Sequence, residues 1–376
     1  MRHFFAAIRR IDWPRFSAGL ILIAFGFSAL YSMSWSQGES GFLLIKKQFL
    51  ALIIGLVFFF LIVRSNYRWS RGFALPLYLI SCLLLILVLF LGENIRGTTG
   101  WFSVLGFHFQ PVELAKLGVI VALARYFADY RHNGFNWRHF FVSAVIVGFP
   151  VFLVLLQPDL GSALLLIGVW VILLFFAGLK FKHFLVLSVS SGLTFLLAWF
   201  FVFVDYQKAR LTSFLNPTLD PMGEGYNVHQ AIIAIGSGGF FGRGLGFGSQ
   251  SQLRFVPESQ TDFIYAVIAE EFGFIGTVLL FGAFYLLIRR LFRSASLTRD
   301  DFTAFLFIGT AGLFLISFLV NVGMNLGIMP VTGIALPFVS YGGSALIISL
   351  ILLGLAESAT AHDVTVKTQI LSKDRE

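Results

Sequence analysis

The chain has 376 residues, 57% of them apolar and only 12% charged, with 46 phenylalanines and a mean hydropathy of +0.86. Soluble domains carry about a quarter charged residues, so this composition excludes a water-facing globular protein and indicates a polytopic membrane protein. The net charge of +8 reads as membrane topology, since positive residues collect in inner loops, and not as a nucleic-acid surface.

Residues 1–15 are basic and lead into an apolar run with no small-residue cleavage pattern. They read as a cytoplasmic N-terminus before a first membrane helix, not as a removed signal peptide. A helical span needs about 20 mostly apolar residues. Ten segments qualify, at about 16–34, 46–64, 73–92, 111–128, 141–157, 160–178, 183–204, 263–289, 303–324 and 341–357. The expectation is therefore an all-α membrane protein of ten helices forming one domain over 1–376. The single cysteine, Cys82, lies inside the third segment, which excludes a disulfide framework and a cysteine metal cluster. Gln157-Pro-Asp-Leu-Gly161 breaks the fifth segment from the sixth, because proline disrupts a helix and a charged Asp prefers the membrane edge.

An even number of spans puts both termini on one side. If that side is the cytoplasm, 19 of the 27 Lys and Arg residues fall on inner segments or inner helix ends, as the positive-inside rule requires. A polar, glycine-rich loop of about 205–262 then faces outward, as do the 93–110 loop, the 157–161 turn and the 325–340 loop. A polar tail, 358–376, returns to the cytoplasm.

Most loop carboxylates are simply solvated, but three stand out by position. Asp262, in Phe255-Val-Pro-Glu-Ser-Gln-Thr-Asp-Phe-Ile-Tyr265, sits where the long loop enters the membrane. Ser259, Thr261 or Asp262 could cap the following helix. Alternatively, a partly desolvated Asp262 could act as a general base. Glu113 and Lys116, in Gln110-Pro-Val-Glu-Leu-Ala-Lys116, share one helix face inside the outer half of a span. Charges there pair within the bundle or line a polar cavity, so a structural ion pair and a cavity role both stand. Asp159 has the same status at its turn.

Lys208, Arg210, Arg243 and Arg254 are the loop's cations, with Arg96 in the neighbouring loop. Arg210 is the best of them for binding a diphosphate. Gly236-Ser-Gly-Gly239 and Gly242-Arg-Gly-Leu-Gly-Phe-Gly248 lack the spacing of a nucleotide-binding loop and read as tight backbone packing. No His, Cys and carboxylate cluster has metal-ligand spacing.

Taken together, Phe109-Gln-Pro-Val-Glu-Leu-Ala-Lys116, Gln157-Pro-Asp-Leu-Gly-Ser162, Gly225-Tyr-Asn-Val-His-Gln230, Ala234-Ile-Gly-Ser-Gly-Gly239, Pro257-Glu-Ser-Gln-Thr-Asp-Phe263, Glu270-Glu-Phe-Gly273 and Leu336-Pro-Phe-Val-Ser-Tyr-Gly-Gly-Ser344 resemble the SEDS family, the RodA/FtsW peptidoglycan polymerases. The match runs in order over nearly the whole chain. Ile11-Asp-Trp13 and the Asn321–Gly333 stretch, with Thr-Gly where FtsW-like chains tend to carry Lys-Gly, look closer to the RodA branch.

The resemblance implies an inverting glycosyltransferase of the bacterial cytoplasmic membrane, active on its outer face. Such an enzyme polymerises lipid II into glycan strands and releases undecaprenyl diphosphate. It implies Asp262 as catalytic base, with Glu113, Lys116, Asp159 and Arg210 as supporting cavity residues. Arg96, Lys208, Glu258, Gln260, Thr261, Tyr226, Gln230, Ser340 and Tyr341 are grouped with them on the same outward motifs. Any Mg2+ or Mn2+ would arrive on the diphosphate, since the sequence shows no dedicated metal cage. The implied partners are undecaprenyl-linked glycan, a class B penicillin-binding protein transpeptidase, other elongation or division complex proteins and membrane lipids. A lipid II flippase and a non-catalytic scaffold for that transpeptidase are the alternatives.

Two departures from the family pattern stand out. Gln260 replaces a usual His, leaving Asp262 as the lone base. Gly100 precedes Trp101 where Arg is common, and Arg96 is the nearest substitute.

Overall fold

The computed structural model describes residues 11–37, 39–95, 98–104, 107–130, 135–201, 208 and 224–362. Helices α1 (Trp13–Gln37) and α2 (Glu39–Arg64) are followed by the single-turn α3 (Arg68–Gly72) and by α4 (Ala74–Leu91). Strands β1 (Glu93–Ile95), β2 (Thr98–Val104) and β3 (Phe107–Phe109) come next. Then follow α5 (Pro111–Tyr130), α6 (Trp137–Leu156), α7 (Leu160–Phe176) and α8 (Phe181–Phe201). The remainder holds α9 (Glu224–Ser237), the short α10 (Ser249–Gln252), α11 (Ile264–Leu297), α12 (Asp301–Asn325) and α13 (Gly343–His362).

Seven of these helices, α1, α2, α4, α6, α11, α12 and α13, are long and apolar enough to cross a membrane. α7 is apolar but only 17 residues long. α5 carries Glu113, Lys116, Arg125 and Asp129, so its composition alone does not mark it as a span. The protein is mostly helical and multi-pass. α12 and α13 are its centre, with 72% and 83% of their most apolar windows buried, against 28% for α2 and α4. α13 lies along α2 closely enough that a Cβ on Gly354 would meet the Phe59 backbone at 3.1 Å. Small residues at such contacts let membrane helices approach without a hydrophobic driving force.

Local chemistry sets several helix starts. Asn136, Asp159 and Asp300 each accept a backbone N–H from three residues ahead, capping α6, α7 and α12. Pro111 opens α5, where its missing N–H costs nothing.

Two expectations need correction. The 93–110 loop is not irregular, and the all-α expectation misses a three-stranded antiparallel sheet in the order β1-β2-β3. Its register pairs Glu93 with Trp101 and Phe102 with Phe109. Helices α9 and α10 form within the described part of the 205–262 loop. At the other end of the chain, the tail does not begin at 358. α13 continues to His362 with Glu357, Ser358 and Thr360 buried.

Candidate functional site

The sheet, the N-termini of α5, α7, α11 and α13 and the C-terminus of α12 gather at one end of the bundle. Asp262 lies there, half-buried, two residues before α11. The segment leading to it is a tight turn. The Glu258 carbonyl accepts N–H bonds from Thr261 at 3.1 Å and Phe263 at 3.2 Å. The Thr261 hydroxyl turns back to the Glu258 carboxylate at 3.2 Å instead of capping the helix.

Every backbone unit around Asp262 is tied to another element. Tyr341 N–H donates to the Gln260 carbonyl at 2.9 Å. The Ser340 hydroxyl donates to the Thr261 carbonyl at 2.6 Å and accepts from Leu336 N–H at 2.9 Å. Asn321 and Asn325 of α12 both donate to the Asp262 carbonyl at 3.0 Å. Asn325 Oδ1 then takes the N–H of Ala266 at 3.1 Å, while Phe263 at the N-cap position offers no side-chain cap. Gln48 of α2 supports the outer layer, donating to the Ser340 carbonyl at 3.4 Å and accepting from Gly342 N–H at 3.1 Å.

Gly333 borders the carboxylate. It has φ +74 and is exposed, and a Cβ there would lie 3.7 Å from Asp262 Oδ2. A glycine adopts this left-handed backbone freely. The next residue back, Thr332, packs its carbonyl against Gly161 so closely that no side chain fits there. Through this contact the Asp159 turn is brought next to the Asp262 loop.

Asp159 caps α7, its Oδ1 accepting from Ser162 N–H at 2.9 Å, and its Oδ2 faces Gln110 Nε2 at 3.5 Å. Gln110 immediately precedes α5, which carries the Glu113–Lys116 pair. The two charges are 2.6 Å apart with each side chain 11% exposed. Gly100 of β2 packs on the same corner, since a Cβ there would meet Gln157 Oε1 at 3.1 Å. Gln157 in turn donates to the Leu85 carbonyl at 3.2 Å.

Asp262, Gln260, Thr261, Glu258, Ser340, Tyr341 and Asp159 therefore form one connected corner, with Glu113 and Lys116 on the adjoining helix. Tyr226 and Gln230 stand one turn apart and half-buried on α9. That helix covers the start of α11 through a small apolar cluster of Ala231, Ala234, Val256, Phe263, Ala266, Met324 and Val331. Lys208 is half-buried, with its sequence neighbours outside the described residues. Arg210 and Arg96 lie outside the described residues.

The glycine-rich stretch is backbone packing. α11 is interrupted at Gly273, φ +63, and the freed backbone groups pair with the loop. Arg243 and Gly244 N–H groups donate to the Glu270 and Glu271 carbonyls at 3.0 Å, and Phe274 N–H donates to the Gly239 carbonyl at 3.0 Å. A Cβ on Gly273 would collide with the Gly242 backbone nitrogen.

Asn321, Asn325, Gln48 and Gly333 are uncharged site residues absent from the sequence-based expectations. Their signal was available, since two amides four residues apart inside an apolar helix are expensive in a membrane.

A family of cell cycle proteins, FtsW, RodA and SpoVE, matches residues 15–364 of the chain. A probable peptidoglycan glycosyltransferase FtsW of Trichlorobacter lovleyi is 37% identical over 350 residues, covering 90% of each chain. The peptidoglycan glycosyltransferase MrdB of Escherichia coli is 36% identical over 353 residues, covering 91% of this chain and 92% of its own. These near-equal identities do not separate the branches of the family. Among solved structures, a chain from a peptidoglycan synthase complex that coordinates polymerization and crosslinking superposes with a TM-score of 0.80. It is 34% identical and covers 94% of this chain and 98% of its own.

Proposed function

Because the chain belongs to the FtsW, RodA and SpoVE family, we propose that it is a peptidoglycan glycosyltransferase that polymerises lipid II at the outer face of the cytoplasmic membrane. The observation that carries the reading is the setting of Asp262. A carboxylate beside an exposed glycine has its own carbonyl held by two asparagines of α12 and the preceding carbonyl held by Ser340, ahead of α13. A solvated loop carboxylate needs no such support. On the proposed topology of ten crossings with both termini inside, this corner faces the side where the lipid-linked sugar is presented.

In the proposed step, Asp262 takes the proton from the GlcNAc 4-hydroxyl of the acceptor. That oxygen bonds to the anomeric carbon of the donor MurNAc, with inversion. The bond from that carbon to the diphosphate oxygen breaks, and undecaprenyl diphosphate leaves with the electron pair. General-base assistance supplies roughly 10²–10⁴-fold, and the remainder comes from holding the two sugars in line and neutralising the diphosphate. Arg210 and Arg96 are the proposed partners of that leaving group. The Glu113–Lys116 pair keeps the adjoining wall polar without touching the reacting atoms.

Thr332-Gly333 beside the carboxylate favours the elongation branch and a role in rod shape. A class B penicillin-binding protein is the proposed partner, supported by the likeness to a chain of a polymerising and crosslinking complex. The test is reconstitution with that transpeptidase and fluorescent lipid II. Glycan polymer supports the enzyme, whereas lipid II crossing liposomes without polymerisation would replace it with a flippase.

A further inference from the structure

Asn321 and Asn325 lie one turn apart near the end of α12, and both are fully buried. Their amides converge on a single carbonyl, that of Asp262, each at 3.0 Å. Each amide also does a second job. Asn321 Nδ2 donates to the Ile334 carbonyl at 2.8 Å, so both of its N–H groups are engaged. Asn325 Nδ2 donates to the Asn321 carbonyl at 2.8 Å, and its Oδ1 accepts the Ala266 N–H of α11 at 3.1 Å. Only an amide can do this. The groups facing Asn321 are carbonyls, which require two donors, and the groups facing Asn325 require donors and an acceptor from one short side chain.

The consequence is geometric. Asn321 fixes Asp262 relative to Ile334, and therefore relative to Gly333 one residue earlier, which borders the carboxylate. Asn325 fixes Asp262 relative to the first turn of α11. We propose that Asn321 and Asn325 are positioning residues that set the place and direction of the Asp262 carboxylate without touching substrate. The proposal rests on Asp262 being the base. Two buried amides serving only as glue between helices would not need to meet on that one carbonyl.

The test uses the full chain with its partner transpeptidase and fluorescent lipid II. Asn321→Ala and Asn325→Ala are expected to lower kcat on the order of 10²-fold, the scale of a displacement of about 1 Å, with KM unchanged. Thr310→Ala is the control. It removes another fully buried polar group from α12, one bonded only to the Leu306 carbonyl of its own helix, and should leave kcat unchanged. Losing folded protein lowers the pH–rate curve equally at every pH, whereas a carboxylate carried out of its setting moves the acid limb, and that movement is expected. Should the alanine variants not fold, Asn325→Ser keeps a small uncharged polar group in α12 while being too short to reach the Asp262 carbonyl, and should show the same loss. Wild-type kcat in any of the asparagine variants, or a loss uniform in pH that tracks the folded fraction, overturns the proposal. If Asp262→Asn is inactive while the Asn variants are fully active, only the positioning role fails. If Asp262→Asn is itself active, the base assignment fails first.

Discussion

Glu113 and Lys116 show what single residues cost in this bundle. Each is 11% exposed and 2.6 Å from the other on one face of α5. Removing one partner strands the second in a poorly solvated place, which for buried pairs costs about 3–5 kcal/mol. Glu113→Gln should therefore destabilise the protein by about 3 kcal/mol, the low end of that range because of the residual exposure. Glu113→Gln with Lys116→Met should recover most of the loss. Denaturant unfolding in detergent measures the cycle, and additive single effects would show that the pair is not coupled. The pair was readable from sequence because charge is so rare in the chain. So was Asp262, although composition could not choose between capping and catalysis. The structure bears on that choice locally: Thr261 folds back on Glu258, and Asn325 supplies the Ala266 N–H with its acceptor. The asparagines were not found, because an uncharged amide raises no alarm in a reading that looks for charges.

Elements are joined at the opposite end by a second buried network. Arg15 at the start of α1 and Glu357 near the end of α13 are both fully buried, with Nε and Oε1 2.7 Å apart. Glu357 Oε2 accepts the Asp12 N–H at 2.8 Å, and Arg15 reaches Ser294 of α11 at 3.3 Å and Thr360 at 2.7 Å. Glu357→Gln would leave the arginine without its hydrogen-bonded carboxylate, with only the neighbouring Asp12 as counter-charge, and a loss of about 3 kcal/mol is expected, read as a lowered melting temperature in detergent. A melting temperature within error of wild type would show that water reaches Arg15 and that the network does not join the helices. This network explains why the C-terminal boundary was misjudged. Glu357, Ser358 and Thr360 look like a solvated tail in sequence, yet Glu357 and Thr360 are partners for Arg15, 342 and 345 residues away in the chain, and Ser358 donates to the Ser65 carbonyl at 2.7 Å. The helices were legible from runs of apolar residues. The sheet was not, because strands of three and seven residues in a polar stretch carry little pattern. The break at Gly273 was equally hidden, since the loop that satisfies it is distant in sequence.

At the scale of the whole molecule the account requires two faces with opposite exposure. Cys82 is buried, so an introduced cysteine would report its own side of the membrane. Ile328, 67% exposed beyond α12, lies at the Asp262 end, and Ser296, exposed near the end of α11, lies at the other. Ile328→Cys should react with a membrane-impermeant maleimide in intact spheroplasts, and Ser296→Cys only after permeabilisation. The reverse pattern would invert the proposed topology and put Asp262 on the wrong side for an outward substrate. The most direct test is the initial rate of glycan formation from fluorescent lipid II by the purified chain with its partner transpeptidase, wild type against Asp262→Asn. The account predicts a fall of roughly 10²–10⁴-fold, with folding and partner binding retained. Polymerisation by Asp262→Asn at the wild-type rate would contradict it.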